Sequence, residues 1–145
     1  LGSKTMTAEE IIIHLKLEPH PEGGWYRQTW AAKTPKRSTG TCIYFLLKEG
    51  ESSAWHRVDA GEIWHFYSGD PLILRRADSV KGPAYDTLLG SDFTAGEQPQ
   101  LVVEANQWQA ARTTGKYTLV GCTVSPGFEF SGFELADKNF DIPAA

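Results

Sequence analysis

The sequence has little of several features that mark whole classes of protein. Its 145 residues include only two cysteines, Cys42 and Cys122, too few for the disulfide framework of a small secreted domain. The longest purely apolar run is the six residues 42–47, far short of the roughly 20 that a membrane-spanning helix needs. Basic residues are scattered and the formal net charge is −4, a poor match to a nucleic-acid-binding surface. We therefore expect reduced thiols, a cytoplasmic location, and neither a membrane nor a nucleic-acid partner.

What the chain does have is the composition of one folded domain. Hydrophobic residues make up 41% of it and aromatic residues 12%, which argues against disorder. A chain of this length forms one domain most often, and we place it at residues 7–137. Residues 1–6 are interpreted as a disordered N-terminus or a remnant of expression, with Met6 as the natural start, and residues 138–145 as a C-terminal tail.

One short helix is predicted ahead of many strands. Thr7 and Glu10 have the spacing of a capping box, and apolar residues follow at helical intervals until Pro19. Beyond it, short runs rich in aromatic and β-branched residues alternate with turn residues. The predicted strands are 24–31, 41–48, 53–58, 62–68, 71–77, 84–89, 100–104, 108–112 and 116–124. Many short strands at regular spacing indicate a β-sandwich or β-barrel.

Residues 50–69 carry the most specific pattern in the chain. They read GESSAWHRVDAGEIWHFYSG, in which glycines flank His56, Val58 and Glu62 at fixed intervals. This resembles the first sequence motif of the cupin superfamily, small β-barrels of jelly-roll type. The spacing matches throughout, but metal-binding cupins have a second histidine where Val58 stands.

A second motif and four further stretches narrow the resemblance. Residues 104–109 (EANQWQ) resemble a worn second cupin motif, with Gln109 at the position of its histidine. The further stretches are residues 19–27 (PHPEGGWYR), 43–47 (IYFLL), 62–66 (EIWHF) and 120–130 (VGCTVSPGFEF). They resemble the fifth cupin domain family, a domain of unknown function related to sugar-nucleotide epimerases. The likeness covers about residues 8–136 and implies a jelly-roll barrel, commonly homodimeric, with no established reaction.

Strand alternation indicates which motif residues face the barrel interior. Positions i and i+2 of a strand share a face, so an inward His56 brings Val58 inward beside it. Glu62 follows a tight turn and begins the next strand, which lets it return to the same interior. Trp64 and Phe66 share the parity of Glu62, and we expect these two rings at the mouth of the pocket.

The inward donors favour acid–base chemistry over a dedicated metal site. They are His56, Glu62 and Gln109, and an amide oxygen is a poor exchange for an imidazole. We expect no cofactor, with a weakly bound divalent metal on these three residues as the alternative. Without metal, His56 as general base and Glu62 as the carboxylate that orients it suit proton abstraction beside a carbonyl. A buried hydrogen-bonded pair in an inactive binding barrel is an equally weighted interpretation.

The resemblance also implies a second catalytic group that the sequence does not locate. Cupin epimerases use a tyrosine as the opposing acid, just after the strand that follows the second motif. Residues 122–126 contain no tyrosine. Tyr26, Tyr44 and Tyr117 are the candidates, and their spacing does not select one of them.

The prediction is therefore an all-β cupin jelly-roll barrel with a short N-terminal α-helix, homodimeric, binding a small polar molecule that resembles a sugar or nucleotide. If it is an enzyme, we expect an isomerase or epimerase. A non-catalytic binding barrel and a metal-dependent oxygenase or isomerase are the alternatives. Besides the pair His56 and Glu62, the residues expected to bind ligand are Glu22, Tyr26, Arg27, Trp64, Phe66 and Gln109.

Overall fold

The computed structural model of the chain describes residues 5–137 and 139–144. Most of the expected N-terminal extension, residues 1–4, lies outside the described residues, as do 138 and 145 in the expected tail. The α-helix and β-strands of the described residues are α1 (Ala8–His14), β1 (Glu18–Pro19), β2 (Trp25–Ala31), β3 (Thr41–Lys48), β4 (Ser52–Val58), β5 (Gly61–Gly69), β6 (Leu72–Ala77), β7 (Tyr85–Leu89), β8 (Gln100–Val103), β9 (Trp108–Thr113), β10 (Tyr117–Ser125) and β11 (Phe133–Leu135). Two short 3₁₀ helices lie at Phe93–Ala95 and Phe130–Gly132.

The helix α1 begins at the predicted capping box. The Thr7 hydroxyl oxygen accepts a hydrogen bond from the Glu10 backbone N–H at 3.2 Å, and a Glu10 carboxylate oxygen accepts one from the Thr7 N–H at 3.0 Å. Such a cap stabilises a helix by about 1 kcal/mol. Ala8 and Ile11 are buried against Leu46 on the outside of the barrel. Within residues 5–137 and 139–144, no helix is long and apolar enough to cross a membrane.

The strands form two antiparallel sheets that face each other, as in a jelly roll. The first sheet has the order β1-β2-β3-β10-β5-β8, and the second has the order β11-β4-β9-β6-β7. All nine predicted strands are confirmed, with ends that differ by at most one residue. The prediction missed β1 and β11, because strands of two and three residues are too short to show an alternating pattern.

The apolar core lies between the two sheets. It is a single cluster of buried side chains from both inner faces: Phe45, Leu47, Trp64, Leu72, Leu74, Leu89, Leu101, Val103, Ala111, Val120 and Cys122. Burying a large apolar side chain contributes about 1.5–3 kcal/mol to stability. This cluster therefore holds the sheets together and leaves the other end of the interior to polar residues.

The described residues of the expected C-terminal tail pack onto the outer face of the second sheet. Ile142 is fully buried there with Trp55 and Trp108. The Trp55 indole N–H donates to a carboxylate oxygen of Asp141 at 2.8 Å. The Ala84 backbone N–H donates to the Pro143 carbonyl oxygen, also at 2.8 Å. The packing of the domain thus continues past residue 137.

Candidate functional site

A cavity of about 260 Å³ lies at the polar end of the barrel, against the inner face of the first sheet. Its wall combines side chains of β2, β3, β5 and β10 with the loop before β2 and the segment after β10. Two carboxyl groups, Glu22 and Glu62, line it together with the rings of Tyr26, Phe128 and Phe130. Carboxyl groups and aromatic rings that converge in one cavity are typical of a small-molecule site.

The loop before β2 places Glu22 against strand β4. Gly23 has φ +107°, and a side chain on it would collide with the Ser52 carbonyl, so only glycine allows this approach. The Glu22 carbonyl accepts a hydrogen bond from the Ala54 N–H at 2.8 Å. The Ser53 hydroxyl donates to the Glu22 carboxyl group. Glu22 is therefore fixed at the boundary between the cavity and the second sheet.

His56 lies behind Glu22 and is 2% exposed. Its Nδ1 donates to the Ala54 carbonyl at 2.7 Å, and its Nε2 lies 3.5 Å from a carboxyl oxygen of Glu22. The sequence predicted that Glu62 would orient this ring, and the structure corrects that contact. A backbone carbonyl sets the ring and Glu22 faces its free nitrogen, because the loop before β2 reaches into the space between the sheets.

Glu62 is held instead by Gln109. The Gln109 amide N–H donates to Glu62 Oε1 at 2.8 Å, and its amide oxygen accepts from the Trp64 indole N–H at 2.9 Å. Gln109 is fully buried and lies opposite His56 in the β4–β9 register. The chain from Trp64 through Gln109 orients one oxygen of Glu62 and leaves its carboxyl group at the cavity wall.

Burial changes the protonation of this end of the barrel. It raises the pKa of Glu22 to about 8 and that of Glu62 to about 7. It lowers the pKa of His20 to about 4 and also lowers the pKa of His56. Near neutral pH the Glu22 carboxyl group keeps its proton, Glu62 is close to its midpoint, and both imidazoles are neutral. Of these four side chains, the two carboxyl groups are therefore the ones that gain or lose a proton near neutral pH.

His20 is a site residue that the sequence analysis did not single out. It lines the cavity and is 8% exposed. Its Nδ1 accepts a hydrogen bond from the Glu22 N–H at 3.1 Å, and its ring meets the edge of Tyr26 at 4.4 Å between centroids. The signal that could have found it is its place between Pro19 and Pro21, since flanking prolines fix the loop that carries it.

Of the aromatic residues that the sequence assigned to the site, only some line this cavity. Trp64 is 1% exposed in the apolar core and Phe66 packs on the same core, so neither ring lines the cavity mouth as expected. Of the three candidate tyrosines, Tyr26 lines the cavity. Tyr44 and Tyr117 pack in the cluster beneath α1, on the other face of the sheet.

Arg27 does not reach the cavity either. It follows Tyr26 on β2 and therefore points to the opposite face of the sheet. Its guanidinium carbon lies 5.5 Å from the centroid of the Tyr44 ring, on the outer surface. Arg27 was expected to bind ligand, but its side chain lies on the outer surface, away from this cavity.

The residues present do not fit a dedicated metal centre. Val58 is 3% exposed and packs with Ala60 and Val124, so the position that would carry a second histidine offers no donor atom. Both polar atoms of the Gln109 amide are already bonded within the protein. In the part of the chain that the structure describes, no three histidine, cysteine, aspartate or glutamate side chains are grouped to hold a metal ion.

Known structures share this fold over nearly the whole chain. A protein from Shewanella oneidensis is 39% identical, with a TM-score of 0.86 over 92% of this chain and 86% of that one. A hypothetical protein from Leishmania major is 30% identical, with a TM-score of 0.84 over 93% of this chain and 90% of that one. Oxalate decarboxylase from Bacillus subtilis is 14% identical, with a TM-score of 0.63 over 81% of this chain and 29% of that one, and shows the fold alone.

The family assignment follows from a match that spans the site and both sheets. None of the curated proteins matches the chain. The family model described as cupin superfamily, DUF985, matches residues 9–136. This confirms the resemblance inferred from the motifs, including the jelly-roll fold. The chain belongs to this cupin family, a domain family of unknown function.

Proposed function

We propose that the protein binds a small polar, sugar-like molecule in the cavity and catalyses a metal-independent proton transfer on it, as an isomerase or epimerase does. The observation that carries the proposal is the environment of Glu62. Its carboxyl group lines the cavity, is 7% exposed, and has a pKa that burial raises to about 7. A group whose pKa lies near the working pH can both take and return a proton.

Tyr26 is the group best placed to act as the second acid. It lies on the inner face of the same sheet as Glu62, three strands away, or roughly 14 Å between backbones. The Glu62 carboxylate accepts a proton from a carbon beside a carbonyl group, and the Tyr26 hydroxyl protonates that carbon from the other side. Proton exchange with solvent then returns the proton from Glu62 to Tyr26, so the enzyme is restored and the carbon is inverted.

The residues behind the cavity act by positioning these groups. Gln109 fixes the Glu62 carboxyl group, while Ser53 and His56 hold Glu22. His56 does not line the cavity, so the general-base role expected for it passes to Glu62 in this proposal. His56 remains a positioning residue that acts through Glu22.

Solvent deuterium exchange tests the proposal. The protein is incubated in D₂O with aldoses, amino sugars and sugar nucleotides, and incorporation at carbon is followed by NMR and mass spectrometry. Glu62→Gln keeps the size of the side chain but removes its ionisation, and should slow exchange by about 10²-fold or more. Glu104→Gln, an exposed carboxylate outside the cavity, is the matched control and should leave exchange unchanged. Full exchange by Glu62→Gln would exclude the role assigned to Glu62.

A non-catalytic binding barrel is the second candidate function. It is favoured by the complete set of contacts around His56, Ser53 and Glu22, which is what a structural polar network requires. Its expected result is saturable binding of a member of the same panel without deuterium uptake at any carbon. The exchange experiment therefore separates the two functions.

A further inference from the structure

The ionisable side chains around the cavity include carboxyl groups but no permanently cationic group among residues 5–137 and 139–144. The carboxyl groups of Glu22 and Glu62 line it, and within residues 5–137 and 139–144 no lysine or arginine does. The rings of Tyr26, Phe128 and Phe130 line it as well, beside the aliphatic side chains of Ile43 and Val124. Aromatic faces attract cations through their quadrupole, most strongly where water is excluded. The cavity thus has two kinds of group that favour a positive ligand.

The nearby arginine is engaged outside the cavity. Arg37 lies beside the rim, where its Nε donates to the Gly127 carbonyl at 2.7 Å. Its guanidinium also pairs with Asp59 at 2.7 Å and with Glu129 at 3.1 Å. With four oxygen partners on three residues, two of them carboxylates, this group is already neutralised and does not offer a free charge to an anionic ligand.

We propose that the ligand carries a protonated amine and has no phosphate or carboxylate group. This inference rests on the proposed binding function of the cavity and narrows its substrate class. An ammonium group there can donate to Glu22 and Glu62 while it contacts the aromatic rings. An anion would be repelled by Glu62, which is partly ionised near neutral pH, in a site where water screens charge poorly. Amino sugars and related amines therefore fit better than the sugar nucleotides that the family resemblance suggests.

The proposal has a consequence for proton release. A cation beside Glu62 and Glu22 favours their ionised forms and lowers pKa values that burial had raised to about 7 and about 8. Three other titratable groups interact with these carboxyls. Burial lowers the pKa values of His20 and His56 and raises the pKa of the Cys122 thiol, so all three stay neutral near pH 7. Binding of an amine near neutral pH should therefore release protons to the buffer.

Two matched ligand series test the charge preference. The first is glucosamine, glucose and glucuronate, and the second is benzylamine, benzyl alcohol and benzoate. Binding is measured by isothermal titration calorimetry near neutral pH in two buffers with different enthalpies of ionisation. We expect the amine of at least one series to bind about tenfold tighter than its neutral analogue, with proton release, and the carboxylates to bind most weakly.

A pair of variants assigns the preference to the cavity. Glu62→Gln should remove most of the difference between amine and neutral analogue, whereas Glu104→Gln should preserve it. If Glu62→Gln folds poorly, the wild-type series decide the matter alone. Equal or tighter binding of a carboxylate would overturn the proposal, and so would undetectable binding of both amines.

The test is separable from that of the proposed function because it measures binding without turnover. Amine binding without deuterium exchange on any ligand would remove the proton transfer and keep the charge preference. Exchange on a phosphorylated sugar, with no preference for amines, would keep the proton transfer and remove this inference.

Discussion

The two ends of the barrel interior are built on the same strands but differ in polarity. On β5, Trp64 lies in the apolar core, and two residues earlier Glu62 lies on the same face at the cavity. On β3, Phe45 belongs to the core, and Thr41 lines the cavity at the strand's other end. The same strands run through both ends, so the difference comes from the residues they carry and from the loop before β2, which adds His20 and Glu22 to the cavity wall.

The apolar end of the barrel stabilises the fold, whereas the buried carboxyl groups of the polar end reduce its stability. Leu72 and Leu74 are fully buried, and each such side chain contributes about 1.5–3 kcal/mol. Glu22 and Glu62 are buried with raised pKa values, and every tenfold weakening of a carboxyl group's ionisation corresponds to about 1.4 kcal/mol against the ionised form. Selection for stability alone would favour apolar residues at both ends; under the proposed function, the polar residues serve binding and proton transfer instead.

The largest effect on stability is expected at the apolar end. Leu74→Ala should lower the free energy of unfolding by about 2–5 kcal/mol, because it leaves a cavity in a core that cannot fully relax. Ile73→Ala, at the partly exposed neighbour on the other face of β6, should cost about 1 kcal/mol. Urea unfolding measures both. Equal losses would show that the inner face of this strand does not carry the core.

The sequence predicts which face of a strand a side chain points to, but not how deeply the side chain is buried. Alternation places Glu62, Trp64 and Phe66 on one face, and the structure confirms that shared face for the buried Glu62 and Trp64. Alternation does not say which of the three side chains lines the cavity, because that depends on how far the opposite sheet extends over each residue. The same alternation would have excluded Arg27, since Tyr26 beside it points inward.

The contacts that the loop before β2 makes cannot be predicted from the periodicity of the sequence. Glu22 and His56 are far apart in sequence, and their approach depends on the conformation that Gly23 permits. A loop has no repeating pattern that reveals which way its side chains point. The sequence therefore identifies Glu22 and His56 as candidates without revealing that they face each other, and it leaves His20 unassigned.

The second largest effect should be a loss of stability with rising pH. The folded-state pKa values of Glu22 and Glu62 are about 8 and about 7, above the ordinary glutamate value of 4.5. The folded state thus binds more protons than the unfolded state, and stability falls as pH rises toward these values. Below about pH 6.5 the histidines with lowered pKa values oppose this trend. From about pH 6.5 to 8 the carboxyl groups act alone, and we expect a loss of about 2 kcal/mol.

Glu22→Gln tests the contribution of the polar end, because it should make the free energy of unfolding less dependent on pH. The amide resembles the protonated acid but cannot ionise, so the fall in unfolding free energy across the window should be reduced by more than half. The exposed control Glu104→Gln should keep the wild-type slope. Urea unfolding at several pH values measures all three proteins. An unchanged slope in Glu22→Gln would mean that its carboxyl group ionises in the fold as it does in the unfolded chain.

The smallest effect on stability, with a large effect on function, is expected for Tyr26→Phe. The ring lines the cavity and is partly buried, so removing only its hydroxyl group should change the unfolding free energy by less than about 0.5 kcal/mol. Inversion of the carbon should fall by about 10²-fold because the opposing proton donor is lost, whereas Glu62 can still exchange the proton on its own face with solvent. Tyr44→Phe, a tyrosine outside the cavity, is the matched control and should preserve inversion. If Tyr26→Phe instead loses stability and keeps its rate of inversion, its hydroxyl group belongs to the structure of the polar end and another group supplies the proton.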